Sequence, residues 1–376
     1  MIPPEELDKR IRRLKRWMSR RDVDYTLIQN ESNMFYLSGT KNAMMLVVPR
    51  GEDPVLIAKY AFGDELVRQE SPFDVEIIKP YFGLKKEDVR NPKVVEYFAQ
   101  KFGEGAKRVA VDFLQDSKQI ELLRKRTRRG KKSVAILDVT DQMIRMRSVK
   151  SEYEIQIMRK SAEIAIRAFE NLEIKEGMTE RQVANRLVFE MVELGASGPS
   201  FPPIVAVGVN SFNAHHVVTD KKLTSGEILL MDFGAIYQGY CSDMTRTMFL
   251  GSPDEDFLLK YDAVKEAQEK ALNYFRDGQK LEKPDVEARK VLYDRGLLEY
   301  YVHTLGHGIG IDIHEPPRVV VGATGKLLDG MTVTDEPGIY IKGWGGIRIE
   351  DTVVVGKKEV EVLTKDLPKD PLMLRR

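Results

Sequence analysis

Cysteine is nearly absent from this chain: Cys241 is the only one in 376 residues. An internal disulfide is therefore excluded, and a reducing cytoplasm is the expected setting. Long apolar runs are missing too. None approaches the ~20 residues that a membrane span needs, so no membrane partner is expected. The first residues, Met1-Ile2-Pro3-Pro4-Glu5-Glu6, carry charge and no apolar core, and read as no secretory signal. There is no excess charge of either sign. Lys and Arg number 59 against 58 Asp and Glu, a net charge of +1. Nothing global points to a nucleic acid or an acidic surface. The densest basic run, residues 124–132, has no interleaved aromatics and reads as a solvated helix end and loop. Histidine is scarce as well. The five that exist, His215, His216, His303, His307 and His314, fall in one stretch, close to conspicuous acidic residues.

Apolar residues make up 42% of the chain, enough to bury a substantial core, and the length suits two domains. Leu7, Ile11, Leu14 and Met18 recur at helical spacing. Strands follow at Tyr25-Thr26-Leu27-Ile28 and Met44-Met45-Leu46-Val47-Val48, and alternation continues to Val134-Ala135-Ile136-Leu137. This predicts an α/β domain over residues 1–145. Ser151 with Glu154, and Thr179 with Gln182, are capping-box pairs that open two long helices. Beyond Pro202-Pro203 the chain turns β-rich, with helical interludes at 256–276 and 283–295. Helices first and antiparallel hairpins after predict an α+β domain over residues 146–376.

The acidic residues near the histidines carry the chemistry. Asp232 is the one charge in Glu227-Ile228-Leu229-Leu230-Met231-Asp232-Phe233-Gly234-Ala235 after its first residue. If Tyr237-Gln238 forms a two-residue hairpin loop, Ile236 pairs with Gly239 and Asp232 falls opposite Asp243. Two such carboxylates on a buried face repel each other and are poorly solvated, and a bound cation relieves both penalties. Glu336 and Glu350 repeat the pattern on a second hairpin. There Pro337-Gly338 ends the first strand, and residues 347–355 form the return strand. His303 and His307 are four apart, but Gly306, Gly308 and Gly310 argue against a helix. Residues 306–313 read instead as a loop running into a strand, with the glycines admitting close neighbours. Pro316-Pro317 is expected to block ladder pairing. Cys241, two residues from Asp243, reads as a small core residue.

These residues match a known pattern. Asp232-Phe233-Gly234-Ala235, Ser242-Asp243-Met244-Thr245-Arg246-Thr247, His303-Thr304-Leu305-Gly306-His307-Gly308-Ile309-Gly310, Glu336-Pro337-Gly338-Ile339-Tyr340 and Arg348-Ile349-Glu350-Asp351 resemble the pita-bread metallopeptidases. That group includes the Xaa-Pro dipeptidases (prolidases), aminopeptidase P, methionine aminopeptidases and creatinase. The segment ending Asn33-Met34-Phe35-Tyr36-Leu37-Ser38-Gly39 resembles the creatinase/prolidase-like N-terminal domain.

The resemblance implies a pita-bread catalytic domain with two divalent metal ions (Mn, Co, Zn or Fe). Asp232 would bind one ion, His307 and Glu336 the other, and Asp243 and Glu350 would bridge them. Glu336 would also move the proton. His215, His314 and His303 would act on the substrate, and Arg318 would meet the free carboxylate of a dipeptide. Thr245 and Arg348 would orient ligands. The implied activity is hydrolysis of Xaa-Pro dipeptides by water acidified between the two cations, in a cytoplasmic homodimer. Two alternatives stay open: an aminopeptidase P acting on longer peptides, and an inactive pita-bread binding protein.

Overall fold

The computed structural model describes residues 2–80, 93–127, 133–370 and 373–374, and the chain divides into two compact units, Met1–Arg147 and Ser148–Arg376. The first is built on β1 (Tyr25–Ile28), β2 (Met45–Pro49), β3 (Val55–Lys59), β4 (Asp74–Ile78), β5 (Arg108–Val111) and β6 (Ala135–Asp138). They form one sheet in the order β4-β3-β2-β1-β5-β6, with β2 antiparallel to both neighbours and the other pairs parallel. Its helices are α1 (Pro4–Arg20), α2 (Glu31–Ser38), α3 (Asp64–Glu70), α4 (Val94–Lys101), α5 (Ser117–Arg126) and α6 (Thr140–Ser148). Leu7, Ile11, Leu14 and Met18 are the buried stripe of α1. Of the basic run, Arg124, Lys125 and Arg126 form the last turn of α5, and Arg126 pairs with Glu96; residues 128–132 lie outside the described residues.

The second unit opens with α7 (Glu152–Glu170) and α8 (Glu180–Glu193), and both expected capping boxes are formed. Then come β7 (Gly198–Pro199), β8 (Ile204–Val207), β9 (Ile228–Phe233), β10 (Ala235–Tyr237), β11 (Tyr240–Cys241) and β12 (Met244–Leu250). After α9 (Glu255–Leu272) and α10 (Lys283–Asp294) the chain continues as β13 (Gly306–Gly308), β14 (Glu315–Val319), β15 (Thr332–Asp335), β16 (Gly338–Ile341), β17 (Gly345–Arg348), β18 (Asp351–Val354), β19 (Glu361–Val362) and β20 (Met373–Leu374). The larger sheets run β20-β12-β9-β8 and β14-β13-β15-β18-β19, and the smaller ones β11-β10-β7 and β16-β17. A hydrophobic core joins α9 and α10 to the inner faces of β15, β17 and β18 through Tyr261, Val264, Leu292, Val333, Ile347 and Val353. Cys241 is buried, its Sγ 3.6 Å from the Ile311 carbonyl oxygen. Among the described residues no helix is long and apolar enough to cross a membrane.

Three local expectations need correction. The β10–β11 turn is Gln238-Gly239, not Tyr237-Gln238, and Tyr237 pairs with Tyr240. Both turn residues have positive φ (47° and 83°), the conformation that a two-residue turn needs to match strand twist and that glycine accepts. Second, Pro316-Pro317 does not stop β14. Gly308 pairs with Glu315 and His307 with Arg318, leaving the prolines unpaired in a bulge on an edge strand, where a missing N–H costs no ladder bond. Third, the second acidic hairpin is not one ladder. After Pro337 the chain resumes pairing as β16, and the return strand breaks between β17 and β18.

Candidate active site

The register of β9 and β12 places Asp232 opposite Thr245, not opposite Asp243. The corrected turn slides the pairing by two residues. A slip of two preserves the face, so Asp232 and Asp243 still project to the same side as diagonal neighbours. The acidic hairpin supplies the other two carboxylates. Asp335 pairs with Asp351 in one ladder, and Gly338 with Arg348 in the next. Glu336 and Glu350 therefore face each other where both strands leave one sheet for another. Such a break frees their side chains from the alternation of either sheet.

His307 arrives on β13. A Cβ at Gly306 would lie 2.0 Å from the Thr334 carbonyl oxygen, so only glycine lets β13 come this close to β15. The His307 N–H donates to Thr334 Oγ1 (3.0 Å), and its ring Nδ1 lies 3.0 Å from the Gly308 carbonyl oxygen. A carbonyl can only accept, so Nδ1 carries the proton and Nε2 presents a lone pair. That lone pair faces Glu336 Oε1 at 3.5 Å and Asp243 Oδ2 at 3.6 Å. Ligand atoms of Asp243, His307 and Glu350 all fall within 4.8 Å of one another.

The electrostatics of this cluster are unfavourable without a cation. Burial and the Asp232 carboxylate, against the pull of Arg348, push Glu336 up to about 8. Burial, then the neighbouring carboxylates, raise Asp243 and Glu350 well above the usual range. Burial holds the His307 imidazole down to about 4, so it stays neutral at pH 7. Asp232 Oδ1 is buried with no hydrogen-bond partner. Among the described residues, side-chain hydrogen bonds to the four carboxylates come only from the Arg348 guanidinium and the hydroxyls of Thr245 and Thr334. Four carboxylates, a neutral imidazole and an orphaned buried oxygen are a donor set that fits divalent cations.

A second layer fixes the donors. Arg348 donates to Asp232 Oδ2 (2.5 Å) through Nη2 and to Thr245 Oγ1 (3.0 Å) through Nε. Thr245 Oγ1 in turn donates to Glu350 Oε2 (2.6 Å). Arg348 Nη1 donates to the Tyr340 hydroxyl oxygen (2.6 Å), which lies 3.0 Å from His303 Nε2. His303 Nδ1 is 2.8 Å from the Thr304 carbonyl oxygen, so by the same tautomer argument the Tyr340 hydroxyl donates to Nε2. Burial, then Arg348, lowers His303 to about 4 and keeps it neutral.

Asp232, Asp243, His307, Glu336 and Glu350 line a cavity of about 870 Å³. Phe201, Pro202, Pro203 and Val217 form an apolar wall, while His215, His303, His314, Arg318 and Arg348 also border it. His215, His314 and Arg318 are exposed. The His314 ring packs edge-on to His307 with centroids 4.4 Å apart. Its pKa is lowered by partial burial, then by His215 and Arg318. His216 turns away to Glu180, its Nε2 2.8 Å from Oε2. Thr245, unlike the exposed residues, is wholly buried behind the donors.

Sequence reasoning assigned no part to Tyr340 or Glu180. Tyr340 lies two residues beyond Gly338, and a Cβ at Gly338 would sit 2.8 Å from its hydroxyl oxygen. A glycine two residues before an aromatic on one strand face was the available signal. Glu180 accepts from Val207 N, Asn210, His216 and Thr219, and so pins the loop that bears His215. Burial alone would raise its carboxyl, but these bonds hold it below the ordinary range.

Comparison with known proteins agrees with this geometry. Residues 156–357 match the model of Metallopeptidase family M24, and residues 10–149 that of the Creatinase/Prolidase N-terminal domain. An Xaa-Pro dipeptidase of Pyrococcus horikoshii is 35% identical over 363 residues, 96% of this chain and 97% of that protein. The crystal structure of the prolidase from Pyrococcus horikoshii matches with a TM-score of 0.84 and 33% identity over 97% of this chain and all of that one. An X-Pro aminopeptidase structure from Thermotoga maritima matches at 0.83 and 29% identity, over 94% of this chain and 98% of that one. The second unit is thus a pita-bread catalytic domain behind a creatinase/prolidase-type N-terminal one, with the divalent-metal dependence of its kind, and the chain belongs to metallopeptidase family M24.

Proposed function

We propose that this chain is a metal-dependent Xaa-Pro dipeptidase. The observation that carries the reading is the set of five converging donors, four of them carboxylates met among the described residues by the single Arg348 guanidinium, on the floor of a cavity bordered by Arg318. The names of full-length relatives support the substrate class. Asp232 would hold one cation, His307 and Glu336 a second, and Asp243 and Glu350 would serve both. Two such cations (Mn, Co, Zn or Fe) would acidify water and polarise the scissile carbonyl.

The bond before proline is a tertiary amide with no N–H, so recognition falls to the ends of the substrate. Arg318, opposite His307 in the β13–β14 ladder, meets the dipeptide carboxylate. His215 contacts the substrate from the pinned loop. Glu336 accepts a proton from the attacking water and delivers it to the proline nitrogen as the C–N bond breaks. Neutral His314 donates to the carbonyl oxygen as negative charge develops there. His303 already has both ring nitrogens engaged, and so orients Tyr340 rather than the substrate. Arg348 and Thr245 hold Asp232 and Glu350 in place. The single buried cysteine suits a cytoplasmic enzyme, and the homodimer implied by the resemblance is read by light scattering.

The test is hydrolysis of Ala-Pro, Ala-Pro-Gly and a dipeptide without proline by metal-stripped protein, with Mn, Co or Zn restored. Metal-dependent cleavage of Ala-Pro alone is expected. Arg318→Ala raises KM for Ala-Pro about tenfold or more, the loss of a charge-assisted bond. Preference for Ala-Pro-Gly replaces this reading with aminopeptidase P, and no cleavage in any condition sinks both.

A further inference from the structure

Directly behind the donors lies a second acidic pair. Asp335 and Asp351 face each other in the β15–β18 ladder, each the chain neighbour of a donor, Glu336 or Glu350. Both are wholly buried. Asp351 is met by two cations: Arg246 Nη2 lies 2.9 Å from Oδ1, and Lys369 Nζ 2.6 Å from Oδ2. The Gln268 carboxamide, on α9, joins the pair. Its Nε2 donates to Asp335 Oδ2 (3.1 Å) and Asp351 Oδ2 (3.0 Å), and its Oε1 accepts from Lys369 Nζ (2.8 Å). Among the described residues, Gln268 is the only side-chain donor to Asp335.

Lys369 stands apart from the rest of this layer. Gln268, Asp335, Asp351 and Arg246 sit on regular helix or strand, whereas Lys369 lies on an irregular C-terminal segment. That segment is tied down locally. Arg246 donates to the carbonyl oxygens of Leu367 (2.7 Å) and Pro368 (2.8 Å), and the Tyr261 hydroxyl donates to that of Lys369 (2.8 Å). Arg246 also donates to the Glu350 carbonyl oxygen (2.5 Å). The segment therefore meets the backbone of one donor through Arg246. It meets the strand position before the other through Lys369, Gln268 and Asp335.

We propose that Lys369 is a positioning residue for the metal site. Its ammonium orients Gln268 and, with Arg246, offsets the charge of Asp351. It thereby fixes the spacing of β15 and β18 at the point where they hand on to Glu336 and Glu350. Loss of the ammonium frees Gln268 Oε1 and leaves Arg246 as the one cation paired with Asp351 among the described residues. Any shift of Asp335 against Asp351 passes to the two donors, because the pairs are consecutive in register. This inference rests on the reading that Glu336 and Glu350 hold cations.

The experiment is calorimetric titration of metal-stripped protein with Mn²⁺, for wild type, Lys369→Met, Lys369→Arg and Gln268→Met, with Tm recorded for each. Lys369→Met is expected to weaken Mn²⁺ binding about 10–100-fold, the range seen when an outer-shell partner is lost. Lys369→Arg restores most of the affinity, and KM for Ala-Pro at saturating Mn²⁺ stays unchanged. Wild-type affinity in Lys369→Met overturns the proposal even if Tm falls, because Lys369 would then hold the fold alone. If Lys369→Met does not fold, Gln268→Met decides in the same way: weakened binding supports the relay, and wild-type affinity overturns it. A wild-type protein that binds no Mn²⁺ removes the functional reading itself. Failure of the relay alone leaves wild-type binding intact.

Discussion

Two opposed carboxylate pairs lie one residue apart on the same hairpin, and their surroundings are opposite. Asp335 and Asp351 are furnished with Lys369, Arg246, Gln268 and the Thr364 hydroxyl, which donates to Asp351 Oδ1 (2.8 Å). Burial would raise Asp351, but Arg246 and Lys369 hold it below its ordinary range. Burial and its charged partner push Asp335 well up. The two acids of that pair are thus pushed in opposite directions, among cations the protein supplies. Glu336 and Glu350 open on the cavity with Asp232 and Asp243, and among the described residues the side-chain donors to all four are one guanidinium and two hydroxyls. The fold can neutralise buried acids with its own side chains where charge serves structure. At the site one guanidinium, Arg348, stands against four carboxylates, and the remaining deficit is what a cation fills.

Breaking the cavity-facing pair has the largest expected effect. Glu336→Gln lowers kcat for Ala-Pro by about 10²–10⁴-fold, the range for loss of a general acid–base group. Asp335→Asn, next in the chain, exchanges a buried carboxyl that faces Gln268 and not the cavity for its isosteric amide and leaves kcat within about threefold. Steady-state kinetics at saturating Mn²⁺ compare the two, and equal losses would erase the distinction. Asp351→Asn comes second. It strands the buried Arg246 guanidinium and costs about 3–5 kcal/mol in urea unfolding, as when one partner of a buried ion pair is removed. Glu350→Gln in metal-free protein goes the other way and gains stability, since it removes a carboxylate from among carboxylates.

Tyr340→Phe is the third test and touches only the second layer. Loss of the hydroxyl between Arg348 and His303 lowers kcat roughly tenfold. Mn²⁺ affinity by calorimetry stays near wild type, because no donor is removed. The smallest effect is on pH. In metal-free protein Glu336 binds its proton more tightly folded than unfolded, so its contribution to stability is lost as pH rises toward about 8. His303 and His307, lowered to about 4, act in the opposite sense, but only below the unfolded histidine value of ~6.5. Between pH 6.5 and 8 stability therefore falls with pH. Urea midpoints across that window show the decline, and Glu336→Gln makes it shallower.

What the sequence made legible follows from how local each signal is. The stripe of α1 and the capping boxes of α7 and α8 depend on residues three or four apart, and the helices stand where those residues put them. The acidic and histidine motifs could be read as a cluster because each is a short run. Register was harder. Tyr237-Gln238 and Gln238-Gly239 are both plausible turns by composition, and only the backbone shows Gln238 at positive φ. The face assignment of Asp232 and Asp243 survived because the error was an even number of residues. Tyr340 and the Lys369 layer were invisible for another reason. Lys369 meets Gln268 and Asp351 across 101 and 18 positions, distances at which no periodic pattern speaks.

The Arg246 clamp on the carbonyls of Leu367 and Pro368 has a consequence for biosynthesis. Every proposed donor, from Asp232 to Glu350, is translated before the segment that backs two of them. A nascent chain can therefore form its acidic hairpins while their rear support is still inside the ribosome. A hydrolytic centre of this design stays unfinished until residues 367–369 emerge, whichever of its donors has already folded.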